Sequence, residues 1–112
     1  MTANDKGERL SIKSRQKIDI LLSFGAHKEL DTSLSKLIGF QIAKYKSSIH
    51  QIKCELRPFE QKYNLSSQDF HQKFESGNMG DAADFFEWVS LCENILQYES
   101  RIQSLEAVLE GD

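Results

Sequence analysis

From residue 38 onward, apolar side chains recur at alternating spacings of four and three: Ile38, Ile42, Tyr45, Ile49, Ile52, Leu56, Phe59 and Tyr63. A repeat averaging about 3.5 residues predicts a long helix whose seam packs against another helix. Pro58 lies within that run. Proline has no N–H and crowds the preceding turn, so the sequence predicts a break or bend near residues 55–57. Phe85, Trp88, Cys92, Ile95, Ile102, Leu105 and Leu109 form a second seam, its register interrupted at Tyr98 or Glu99. Between the seams, "NLSSQDFHQKFESG" reads as a turn and a short helix. Ser66 or Ser67 can cap it, Asp69 suits its positive start, Phe70 and Phe74 share a face, and Gly77 stops it. Asp81 then opens the last helix, with Asp84 in its first turn. Two seams joined by a compact connector predict a long antiparallel helical hairpin.

The N-terminal stretch has a different pattern. In "ERLSIK", residues 8–13, Leu10 and Ile12 alternate with Arg9, Ser11 and Lys13, which predicts a short strand. Ser14 can cap a following helix carrying Ile18, Leu21 and Leu22, with Gly25 at its end. Residues 26–31, "AHKELD", read as a turn, after which Asp31, Thr32 or Ser33 caps the helix that opens with Leu34, Leu37 and Ile38. The expected fold class is mainly α: a short N-terminal strand plus helices, followed by the long hairpin. Two regions are expected, residues 1–48 and 49–112.

Composition narrows the function. A chain of 112 residues buries a modest core, which makes assembly with another polypeptide relevant. No apolar run approaches the roughly 20 residues that span a bilayer, and no signal-peptide pattern opens the chain, so a cytoplasmic protein without membrane contact is expected. Cys54 and Cys92 offer neither a disulfide framework nor metal-ligand spacing. The net charge of -3 hides an asymmetry: residues 1–62 hold 12 Lys/Arg against 7 Asp/Glu, and residues 63–112 hold 2 against 10. A basic half and an acidic half suggest two different partners.

Little in the chain points to bond chemistry. His27, His50 and His71 are scattered, and Cys92 falls on an apolar seam. The carboxylates of Asp81, Asp84 and Glu87 sit where a helix start already favours negative charge. The turn from Gly77 to Gly80 is not followed by the Lys-Ser/Thr of a phosphate loop. No enzyme, no metal and no cofactor is the expectation. Phe86 stands apart: it lies off the seam of Phe85, Trp88 and Cys92, among Asp84 and Glu87. An exposed aromatic within an acidic rim has the composition of a protein-binding hot spot.

Two resemblances extend this reading. "ERLSIKSRQKIDILLSFG" followed by "DTSLSKLIGFQIAKY" resembles a ribbon-helix-helix DNA-binding domain over residues 8–48. That resemblance implies a homodimer whose paired strands enter the major groove. Arg9, Ser11 and Lys13 would read base edges, and a phosphate would rest on the helix start near Thr32 and Ser33. The second stretch, "RPFEQKYNLSSQDFHQKFESGNMGDAADFFEWVSL", resembles small prokaryotic antitoxins of toxin–antitoxin pairs, including those paired with TumE-type toxins. The resemblance rests on Phe59, Tyr63, Asn64, Ser66, Phe70, Phe74, Gly77, Gly80, Asp81, Phe85 and Trp88.

Together they imply an antitoxin. Its basic half would bind operator DNA, and its acidic hairpin would mask a cognate, RNA-acting toxin. Phe86 would be the anchor of that contact, with Asp84, Glu87 and Glu93 as steering charges. The alternative reading is a homodimeric coiled-coil adaptor that binds no DNA.

Overall fold

A computed structural model describes the backbone of residues 3–111 and the side chains of residues 11–111. The described residues form four helices in chain order: α1 (Ala3–Ser23), α2 (His27–Tyr63), α3 (Ser67–Glu75) and α4 (Ala83–Glu110). The chain divides into two compact units, Met1–Leu37 and Ile38–Asp112, with the boundary inside α2.

The expected N-terminal strand is overturned: residues 8–13 lie within α1, and no strand occurs among the described residues. Two apolar residues in alternation are too few to outweigh a run of helix formers. Glu8, Arg9, Leu10, Lys13, Arg15, Gln16 and Lys17 all favour the helix. The ribbon-helix-helix part of the fold class falls with the strand. In a helix, residues two apart point to different sides, so Arg9, Ser11 and Lys13 cannot form one reading face. Ser11 and Lys13 are exposed on α1, and the side chain of Arg9 lies outside those described.

The turn expected at residues 26–31 is also replaced. Gly25 takes the left-handed conformation at φ +80°. Its N–H donates to the Leu22 carbonyl, and that of Ala26 donates to the Leu21 carbonyl. This is a Schellman ending, and it closes α1 and redirects the chain within three residues. α2 therefore starts at His27. Thr32 and Ser33 sit inside its second turn, where backbone N–H groups serve the helix and cannot hold a phosphate.

Two more helices end the same way. At the end of α2, Asn64 takes φ +49° and the Leu65 N–H reaches back to the Glu60 carbonyl. At the end of α3, Gly77 takes φ +79°, with Gly77 N–H on the Phe74 carbonyl and Asn78 N–H on the Lys73 carbonyl. The start of α3 is capped by the Ser66 hydroxyl, which accepts from the Asp69 N–H at 3.1 Å. No break occurs at Pro58, which lies within the continuous α2. The carbonyl of Cys54, deprived of its donor there, belongs to an exposed residue that water can reach.

In the second unit, α2 and α4 run antiparallel. Tyr45 packs on Tyr98, Phe59 on Trp88, and Tyr63 on Phe85, at ring centroid separations of 5.3, 5.7 and 5.1 Å. All eight seam positions of α2 are buried or half-buried, as are those of α4. Tyr98 fills the place where the α4 register slips, and Glu99 faces solvent. α3 closes the hairpin, and its Phe70 is fully buried against Trp88, with ring planes parallel and centroids 3.8 Å apart. Ile52, Leu56, Phe70, Phe85, Trp88 and Cys92 form the buried cluster, and most aromatic contacts lie at this end.

Polar bonds bind the three helices together there. The Trp88 indole N–H donates to the Ser67 hydroxyl at 2.9 Å, and the Ser67 backbone N–H donates to Glu60 Oε2 at 2.9 Å. A buried indole needs such a partner, and Ser67 thereby bridges α2 and α4.

The first unit has no comparable core. No side chain from residue 11 to residue 37 is buried; Ile18, Leu22, Ala26, Leu30 and Ser35 are half-buried.

Candidate partner-binding surface

The residues expected to face a partner lie in or near the first three turns of α4. Asp84 is committed elsewhere. Its Oδ2 accepts from Lys62 Nζ at 2.7 Å and from the Tyr63 hydroxyl at 2.8 Å. The Lys62 hydrogen bond, then that of Tyr63, holds the Asp84 carboxyl below the usual carboxylate range. The same contact raises Lys62 and Tyr63 above their ordinary values. Asp84 is thus a latch between the end of α2 and the start of α4, and its charge is already balanced.

Phe86 is 55% exposed. Phe24 and Phe40 are exposed as well, but among the aromatic residues that follow Phe40 in the chain every other one is buried or half-buried. Phe86 touches Phe74 edge-on, at 6.1 Å between centroids and 83° between planes. That contact fixes the ring on the surface where α3 meets α4. Glu87 and Glu93 are exposed. Glu93 lies seven residues after Phe86, on the same stripe of the helix, whereas Glu87 points to a different side. Of the four residues expected in one patch, Phe86 and Glu93 share a stripe, Glu87 flanks it, and Asp84 is withdrawn from it.

The same surface holds His71, set aside in the sequence as one of three scattered histidines, and Glu75, both of α3. The His71 Nε2 is enclosed and makes no hydrogen bond; Glu75 Oε1 stands 3.4 Å away, without hydrogen-bond geometry. The ligand-type atoms of His71, Glu75 and Glu93 lie within 4.8 Å of one another. These are donor types that hold divalent metals, and one imidazole shared by two exposed carboxylates accounts for the same arrangement. The four-residue spacing of His71 and Glu75 on a short helix was the available signal; their nearness to Glu93 was not visible in the sequence.

Elsewhere the chemistry is muted. Burial pushes the Cys92 thiol up to about 11, with the negative charges of Glu60 and Glu93 adding to it, so at neutral pH it is a poor nucleophile. An open groove of about 700 Å³ runs between α2, α3 and α4, with Leu56, Cys92 and Ile95 on its apolar side and Lys53 and Arg57 among its charged residues. His27 and His50 are exposed and isolated. Among the described residues, no helix is long and apolar enough to cross a membrane.

No protein-family model, curated protein or solved structure matches the chain.

Proposed function

We propose that the chain acts in the cytoplasm by covering another protein, as the antitoxin of a prokaryotic toxin–antitoxin pair, without bond chemistry of its own. The observation that carries this reading is Phe86, an aromatic held on the surface by an edge contact while the other rings beyond Phe40 pack inward. Aromatic anchors in such settings dominate protein-binding energies. The acidic surroundings support the same reading. With 2 Lys/Arg against 10 Asp/Glu, residues 63–112 attract a basic partner, such as a protein that binds RNA. The antitoxin-like stretch supports it too, since Phe59, Tyr63, Phe70, Phe85 and Trp88 build the scaffold that presents Phe86. Operator binding is left out of the reading, because its strand is a helix.

The test is growth rescue with the protein encoded next to this one in the genome. Phe86→Ala spares the core and keeps the melting temperature, yet fails to rescue, with a binding loss of about 2 kcal/mol or more. Glu87→Lys with Glu93→Lys slows association and weakens its dependence on salt. Full rescue by a folded Phe86→Ala protein overturns the proposal.

A further inference from the structure

His71 and Glu75 stand one turn apart on α3, and Glu93 meets them from α4. The crossing of the two helices sets this meeting. Four residues before His71, the Ser67 carbonyl accepts the Cys92 thiol at 3.8 Å, and Cys92 is the chain neighbour of Glu93. The stack of Phe70 on Trp88 fixes the same crossing, since Phe70 precedes His71 and Trp88 lies one turn before Cys92. Packed neighbours thus bring the three side chains together, with their ligand-type atoms within 4.8 Å of one another. The His71 side chain is 17% exposed, and its Nε2 is closed off from solvent with no hydrogen-bond partner. Among the described residues, no other buried side-chain nitrogen or oxygen is left in that state.

We infer that His71, Glu75 and Glu93 form a binding site for a divalent transition-metal ion of the zinc class, which pins the end of α3 to α4. The distance between the groups separates a metal site from a shared imidazolium. An imidazolium held by carboxylates donates its Nε2–H along a line to an oxygen at about 2.7–2.9 Å. Glu75 Oε1 instead stands at 3.4 Å, outside hydrogen-bond geometry. Two ligands of one tetrahedral zinc, each about 2.0–2.2 Å from the ion, lie about 3.3–3.5 Å apart. The spacing of Nε2 and Oε1 is that of two ligands sharing an ion. Glu93 completes three protein ligands, and the exposure of both carboxylates leaves a fourth position open to water. The donor set selects the ion: an imidazole suits zinc, whereas magnesium and calcium require more oxygens than two carboxylates supply. The surroundings also favour a cation, since residues 63–112 carry 10 Asp/Glu against 2 Lys/Arg. This site stands on its three residues and does not depend on the antitoxin reading.

The experiment is isothermal titration calorimetry of zinc chloride into the full chain at about pH 7.5, where histidine is neutral, in a buffer that does not bind metal. One ion per chain is expected, with a dissociation constant on the order of 10 µM and no heat from magnesium at the same concentration. His71→Gln should raise that constant about a hundredfold, and Glu93→Gln about tenfold or more. His50→Gln, which changes an exposed and isolated histidine, should leave it as it is. Zinc should raise the melting midpoint of the wild type and not that of Glu93→Gln. Glu93 is exposed, so its variant reports on the site even if His71→Gln fails to fold. Cobalt(II) in place of zinc should give a spectrum without a thiolate charge-transfer band, which separates this site from Cys54 and Cys92. No binding below about 1 mM zinc overturns the inference, as does binding that survives both substitutions. So does a thiolate band, or an equal loss in His50→Gln.

Discussion

Ser67 is a small residue with large obligations. Its hydroxyl accepts the Trp88 indole N–H, its backbone N–H donates to Glu60, and its carbonyl accepts the Cys92 thiol at 3.8 Å. Ser67→Ala would leave the indole N–H buried and unpaired, at a cost of about 1–3 kcal/mol in chemical denaturation. Phe70→Ala would open a cavity against Trp88 and cost about 3–5 kcal/mol, a large share of the stability of a small domain. If Ser67→Ala melts with the wild type, the indole has another partner. The two cysteines give a second residue-scale expectation. Cys54 is exposed and Cys92 is buried with its thiol raised to about 11. Iodoacetamide at pH 8 should therefore label Cys54 first, and mass spectrometry after brief exposure should find Cys92 unmodified. Comparable labelling of both would mean that the hairpin opens readily. The surface position of Phe86 was legible, because it falls off the seam. The withdrawal of Asp84 was not: Lys62 and Tyr63 lie 22 and 21 residues away.

At the scale of elements, heptad spacing proved a good guide where it was long, and alternation a poor one where it was short. Eight seam positions in α2 leave little room for another period, and all eight turn inward. Leu10 and Ile12 are too few to fix a period, and helix propensity outweighed their alternation. The turn read into residues 26–31 failed for a related reason: a left-handed Gly25 ends α1 by itself, which frees "AHKELD" to begin a helix. Gly77 makes the same ending after α3, and a Cβ there would meet no atom within 4 Å. The only cost of Gly77→Ala is thus the left-handed backbone, about 1–2 kcal/mol, seen as a lower denaturation midpoint with an unchanged slope. A neutral result would mean that the chain leaves α3 by another path.

Over the whole molecule, charge is legible in total and illegible in pairing. The acidic excess of residues 63–112 can be counted from the sequence, whereas the ion pair that joins α2 to α4 depends on the fold. That pair sets the acid response. Folding holds the Asp84 carboxyl below its ordinary range, so its contribution is complete above that range and is lost as pH falls through the folded value. Lys62 and Tyr63 are raised, so their contributions persist below their ordinary values and are lost as pH climbs through the folded ones. Asp84→Asn should flatten the acid limb of a melting-temperature profile below about pH 4. A mutant profile parallel to that of the wild type would show the latch to be silent. The buried Trp88 has one more consequence. It is the only tryptophan in the chain, and it lies in the second unit, stacked between helices and shielded from water. Intrinsic fluorescence therefore watches one unit alone, while far-ultraviolet dichroism sums all the helices. Followed through one urea titration, the two signals would read the units' unfolding separately, with the dichroism beginning to fall in the weakly packed N-terminal segment while the indole still emits from its native stack.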